Sequence, residues 1–156
     1  MTAHRALLAA AILLALVALA LRLEQHAGAP AVVADPVRTP GVLNADVTQA
    51  TIGSTICVVG WTRTVRPPTE YTNALKRRQM RAYGELGSAS AYQEDHLISL
   101  ELGGHPTDPR NLWPEPYPRA SQVDTIENDL NRRVCDGSIT LAEAQIEESA
   151  LKHSKG

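Results

Sequence analysis

Gly103-Gly104-His105-Pro106-Thr107-Asp108-Pro109 is the stretch that most restricts how this chain can fold. Paired glycines and two prolines so close together exclude the interior of a helix or strand and mark a turn. Before it, Ala91 to Leu102 has the β-branched and apolar content of a strand, bent near Asp95 and His96. After it, Asn111-Leu112-Trp113 can form a short return strand. The chain is therefore expected to fold back on itself here as a hairpin.

The remaining elements read as helices. Two starts follow the hairpin, each with a capping box. Ser121-Gln122-Val123-Asp124 opens the first, with Asp in the place of Glu or Gln, and Val123, Ile126, Leu130 and Val134 recur at core-facing helical spacing. Thr140-Leu141-Ala142-Glu143 opens the second, with Leu141, Ala144 and Ile146 directed inward and Cys135-Asp136-Gly137-Ser138 as the connecting turn. Upstream, Thr72 or Asn73 is expected to cap a helix running to about Tyr83, where Gly84 stops it. Arg66-Pro67-Pro68 predicts an ordered turn, and Cys57 to Trp61 a short extended or turn segment. Asn44 could cap a short helix to about Ile56, although Gly53 and the β-branched residues weigh against it. The order helix, helix, hairpin, helix, helix makes the class α+β, and no internal repeat is visible.

Near the N-terminus, Ala6 to Leu21 is an unbroken apolar run behind a head carrying His4 and Arg5, and Arg22 and Glu24 end it. As a helix it would span about 24 Å, short of a hydrocarbon core of about 30 Å. It reads as a secretory signal, with an uncleaved membrane anchor as the alternative. Ala27-Gly28-Ala29, Ala29-Pro30-Ala31 and Val32-Val33-Ala34 are all candidate cleavage motifs. Residues 1–31 are thus set aside as signal or anchor, 32–40 as a linker rich in Ala, Val and Pro, 41–150 as the folded domain and 151–156 as a polar tail. The expected location is outside the cytoplasm, secreted or in the cell envelope. Cys57 and Cys135 are too few for a four-ligand zinc site without nearby histidines. In an oxidising compartment they are expected to pair, closing a loop worth roughly 4 kcal/mol on a chain-entropy basis.

A net charge of −2 does not advertise a polyanionic partner. Its distribution says more, because Arg63, Arg66, Lys76, Arg77, Arg78 and Arg81 face only Glu70 between Trp61 and Arg81. Such a cluster is an electrostatic footprint for nucleic acid, with a solvated face as the plainer alternative.

Asp95 directly precedes His96 on an extended segment, so the two side chains point to opposite sides of it. A natural division of labour makes Asp95 an oxygen ligand to a hard divalent metal and His96 a general base on water. Phosphodiester hydrolysis needs both, a proton acceptor that titrates near neutrality and a cation beside the phosphate. Mg²⁺ is commonly held by only one or two protein oxygens, so a sparse ligand set suffices. Asn111 would sit across the hairpin, bonding loop backbone and bracing the histidine's strand. Trp113 is expected in the hairpin core, and His105 and His153 outside the chemistry.

Asp95-His96-Leu97-Ile98, Gly103-Gly104 and Asn111-Leu112 resemble the HNH endonuclease motif, whose common form is Asp-His-Ile-x-Pro, then Gly-Gly, then Asn-Leu. The likeness extends to small exported bacterial HNH-type proteins through Leu100 to Gly104, Asp108 to Pro114, Glu127-Asn128 and Val134-Cys135, and covers roughly Thr39 to Gln145. It implies a ββα-metal core with flanking helices and Mg²⁺ or Mn²⁺ between the hairpin and the next helix. It further implies Asp95 as ligand, His96 as base, Asn111 as brace, and a ligand from the helix. That helix has no histidine; Asp124, Glu127, Asn128 and Asn131 are the candidates, Glu127 first and Asn131 next. Ser99 stands where the motif has proline, and the cysteine pairs of a structural zinc are missing. The expected function is an exported endonuclease acting on DNA or nucleic acid generally, with Lys76, Arg77, Arg78, Arg81 and Arg110 against backbone phosphates. The alternatives are a nucleic-acid- or partner-binding module with little catalysis, and a structural envelope protein.

Overall fold

The structure is a computed structural model and describes residues 33–154. The expected signal or anchor segment lies outside the described residues. Among those described, no helix is long and apolar enough to cross a membrane.

The class is α+β, with four helices and one two-stranded antiparallel sheet among the described residues. Helix α1 is Trp61–Val65, α2 Thr69–Tyr83, α3 Tyr117–Cys135 and α4 Leu141–Lys152. Strand β1, Tyr92–His96, pairs with β2, Leu112–Pro116, with Asp95 opposite Trp113 and His96 opposite Leu112. Helices α2 and α3 both pack on this hairpin.

Prolines move two helix starts away from where capping patterns place them. Helix α2 begins at Thr69, directly after Pro67-Pro68, rather than at Thr72 or Asn73. Pro68 sits at the cap with φ −59°, already suited to entering a helix. Gly84 ends α2 at φ 74°, as expected. Helix α3 begins at Tyr117, with Pro116 at the cap and Pro118 in the first turn, so the Ser121 pattern lies inside the helix. Thr140 does cap α4 with both bonds of a capping box to Glu143.

Three further expectations fail for local reasons. The helix from Asn44 to Ile56 is a chain of turns with a single 3₁₀ turn at Ile52–Ser54. There the Thr51 hydroxyl bonds the Asp46 carbonyl and the Thr48 N–H, drawing backbone groups away from a helical ladder. Trp61 starts the short helix α1, where a turn or extended segment was expected. Strand β1 also stops at His96 instead of reaching Leu102, because Leu100–Leu102 winds into a 3₁₀ turn ended by Gly103.

Val47, Ile56, Ile98, Leu102, Leu130, Val134, Leu141 and Ala144 form the main core, with Cys57 against it. The Cys57–Cys135 disulfide joins this edge to the last residue of α3. A smaller cluster holds Ala34, Leu97 and Trp113, with Tyr83 packed on it. Trp113 is fully buried, as expected. Ile126 and Ile146 are 38% and 70% exposed, against expectation. They lie beside the inward stripes, which run Ala120, Val123, Leu130, Val134 on α3 and Leu141, Ala144, Glu148, Lys152 on α4. The last of these stripes ends on two charged residues.

The segments expected as linker and tail fasten each other. Ala34 and Thr39 are buried, the Ala34 N–H donates to the Lys152 carbonyl at 3.1 Å, and Lys152 is itself fully buried. This backbone bond and the contact of His153 Nε2 with the Thr39 carbonyl tie 33–40 to the end of α4, which a free linker and tail would not do.

Candidate functional site

The loop between the strands is organised by Asn111. Its side chain is fully buried; Oδ1 accepts from the Ile98 N–H at 3.0 Å, while Nδ2 donates to the Ile98 carbonyl at 3.0 Å and to the His105 carbonyl at 3.1 Å. The paired glycines leave room for it. A Cβ on Gly104 would lie 1.7 Å from the Ile98 carbonyl oxygen and 2.6 Å from Asn111 Nδ2. Gly103, at φ 77°, would drive a Cβ to within 2.5 Å of Val47. The brace expected of Asn111 is thus present in detail.

His96 lies at the end of β1 where this loop departs. Its Nε2 is 3.0 Å from the Pro106 carbonyl, which can only accept, so Nε2 carries the proton and the Nδ1 lone pair is left as the basic position. Nδ1 takes no hydrogen bond from the described residues. Burial holds the imidazole pKa below its usual value despite the opposing Pro106 hydrogen bond and the charge of Asp95. The ring is therefore a neutral, oriented acceptor at physiological pH. It borders a polar recess of about 60 Å³ together with Arg66, Gln93, Asp95, Glu101, Asp124 and Glu127.

Asp95 enters the same recess but is already engaged. Oδ1 accepts from Gln93 Nε2 at 3.1 Å and Oδ2 from Lys152 Nζ at 2.8 Å. Lys152 Nζ also donates to Glu127 Oε1 at 2.5 Å and to the His96 carbonyl, and lies 3.4 Å from Glu148. Burial works to raise the Asp95 pKa, but the Lys152 charge, hydrogen bonds from Glu115 and Lys152 and the nearby His96 together outweigh it and hold the carboxyl at about 2. The surrounding acids move the other way. Burial, with the Asp95 charge, pushes Glu115 up to about 8, although Arg119 Nε donates to it at 3.0 Å. Glu127 and Glu148 are also raised, chiefly by burial. Glu94, whose two oxygens find no hydrogen-bond partner, is pushed by burial to about 8. Three buried carboxyls, Asp95, Glu115 and Glu148, and the partly buried Glu127 thus surround the cations of Lys152 and Arg119.

Of the other expected site residues, Glu127 does face Asp95, through the shared ammonium. Asn131 does not join them. Its Nδ2 donates to the Ile56 carbonyl at 3.3 Å and the Glu101 carbonyl at 2.8 Å, stitching α3 to two loops. Asn128 bonds back to the Asp124 carbonyl within its own helix. Lys76 Nζ donates to the Tyr92 carbonyl at 2.8 Å and so pins α2 to β1, while Arg77, Arg78 and Arg81 are exposed. Arg110 is exposed and paired with Asp108 at 2.7 Å. His105 Nδ1 accepts from the N–H groups of Thr107 and Asp108, and His153 Nε2 is 2.9 Å from the Thr39 carbonyl, so both are structural.

Lys152, Glu148, Glu115 and Arg66 are site residues that the motif does not announce. The helical period does: continuing the apolar stripes places Glu127 on α3 and Glu148 and Lys152 on α4 at core-facing positions. A divalent cation between Asp95 and Glu127 does not fit these residues as arranged, because the Lys152 ammonium lies within 2.8 Å of the one and 2.5 Å of the other. Among the described residues, no group of three or more His, Cys, Asp or Glu converges as a metal site. Comparison of the chain with protein-family models, with curated proteins and with solved structures finds no match in any of the three.

Proposed function

We propose that this chain is an exported HNH-type nuclease that hydrolyses phosphodiester bonds in nucleic acid, DNA foremost, with His96 as general base. The reading rests above all on the imidazole: Nε2–H is fixed on the Pro106 carbonyl, Nδ1 takes no hydrogen bond from the described residues, and His96 lines a polar recess together with Arg66. The order β1, β2, α3 supports a ββα core, and the apolar run from Ala6 to Leu21 supports export.

In this reading a water gives its proton to His96 while its oxygen attacks phosphorus; the opposite P–O bond breaks, its electron pair leaves on the departing oxygen, and that oxygen takes a proton from solvent. Burial keeps His96 unprotonated and ready to accept. Asn111 holds the strand carrying it, so the ring does not have to be ordered when substrate arrives. Arg66, exposed and lining the recess, offers a positive charge to the phosphate oxygens that, unlike Lys152, is not spent on a carboxylate among the described residues. Arg77, Arg78 and Arg81 on α2 supply contacts to backbone phosphates without reading bases. Mg²⁺ or Mn²⁺, expected from the motif, would have to compete with Lys152 for Asp95 and Glu127.

The test is nicking of supercoiled plasmid in EDTA, in Mg²⁺ and in Mn²⁺. The expected result is cleavage by the wild type and a loss on the order of 10²- to 10⁴-fold in His96→Ala. Absence of nicking in all three conditions, or equal nicking by the variant, refutes the reading. The saturation of Asp95 and Glu127 by Lys152 favours a second reading, a nucleic-acid-binding module without catalysis. That reading requires DNA binding that weakens steeply with salt and yields no product.

A further inference from the structure

We infer that Lys152 is the resident cation of this site, standing where a divalent metal would sit and excluding one. The inference rests on the reading of Asp95 and Glu127 as the ligands of the site's cation. It differs from the motif's implication, which gives that place to Mg²⁺ or Mn²⁺.

A lysine ammonium has three N–H groups, and here they reach Asp95 Oδ2, Glu127 Oε1 and the His96 carbonyl oxygen, with Glu148 Oε1 at 3.4 Å. These are carboxylate and carbonyl oxygens arranged around one point, the ligand type that hard divalent cations take. A metal would bind them at about 2.0 to 2.6 Å, so it would occupy the same point as Nζ and cannot share it. Both the ion and the ammonium answer the same electrostatic need, which is to offset carboxylates that burial would otherwise leave uncompensated.

Lys152 is also built into the fold. It lies in the last turn of α4 and is fully buried. That turn is fastened on every side. Glu148, one turn earlier, accepts the Ser99 N–H with both oxygens at 3.0 Å. Arg119 Nη2 donates to the Leu151 carbonyl at 2.5 Å, the Lys152 carbonyl accepts from the Ala34 N–H at 3.1 Å, and His153 Nε2 contacts the Thr39 carbonyl at 2.9 Å. Moving this turn would break these contacts together, so the backbone that carries Lys152 is held against the site.

Uptake of Mn²⁺, followed by the loss of the free-ion electron paramagnetic resonance signal, tests this without any cleavage readout. Failure of the nuclease reading and failure of this inference are therefore separable. The wild-type chain should leave the free Mn²⁺ signal unchanged. Lys152→Ser should take up one Mn²⁺ per chain, and Lys152→Ser with Asp95→Asn should lose that uptake. If Lys152→Ser does not fold alone, recovery of its helical circular dichroism on adding Mn²⁺ supports the inference, and no recovery overturns it. The wild type taking up one Mn²⁺ that Asp95→Asn abolishes also overturns it, as does a folded Lys152→Ser that binds none.

Discussion

Asn111→Ala removes the brace from the hairpin loop, and its cost can be worked from the bonds lost. Two buried backbone groups, the Ile98 N–H and carbonyl, and the part-buried His105 carbonyl lose their side-chain partner. At about 1 to 1.5 kcal/mol for each bond, the loss is about 3 to 4.5 kcal/mol. That is a large share of the roughly 5 to 15 kcal/mol by which folded domains are stable. Water cannot easily repair it, since Gly104 and Asn111 are both buried. Urea unfolding of the oxidised protein, monitored by circular dichroism, measures the change. Asn128→Ala is the control, because Asn128 is exposed and bonds only within its helix; its effect should stay within about 0.5 kcal/mol. An Asn111→Ala loss under about 1 kcal/mol, or one equal to the control, would refute the assignment of Asn111 as the loop's organiser.

Reducing the Cys57–Cys135 bridge, which links positions 78 residues apart, should lower stability by about 4.5 kcal/mol on the chain-entropy estimate. Urea midpoints with and without reductant check this, and coincident midpoints would contradict it. Stability should also fall as pH rises from about 4.5 towards 8. Glu94 and Glu115 have folded pKa values near 8, raised above their usual 4.5 chiefly by burial, so the folded state holds protons that the unfolded chain releases across that window. Lys152, Arg119 and Asp95 act on Glu115, and Lys76, Arg78 and Asp95 on Glu94. Asp95, held near 2, acts in the opposite sense only below about pH 4. Melting temperatures at pH 5 and pH 9 test the direction; Glu115→Gln should flatten the fall, and a flat or rising wild-type profile would refute it.

Features governed by backbone chemistry were legible in the order of residues. The Gly103 to Pro109 turn reverses the chain because its glycines and prolines bar regular structure. Asn111 braces the loop, Thr140 caps α4, and the two cysteines pair. Each depends on neighbours in sequence or, for the cysteines, on there being no other partner. Helix starts were less legible, because Pro67-Pro68 and Pro116 took precedence over Thr72 and Ser121.

The charge arrangement of the site was decided by tertiary packing. In sequence, the helical period puts Glu148 and Lys152 on the inward stripe of α4, but nothing there says which charges they meet. In the fold, that end is enclosed by 33–40, Arg119 and the hairpin, so a lysine becomes the central cation between Asp95 and Glu127. The sequence by itself determined where the hairpin turns and which residue braces the strand of His96. Which charge stands beside Asp95 depends on surfaces that meet only when helices distant in sequence close over the hairpin, and local propensity has no access to that desolvation.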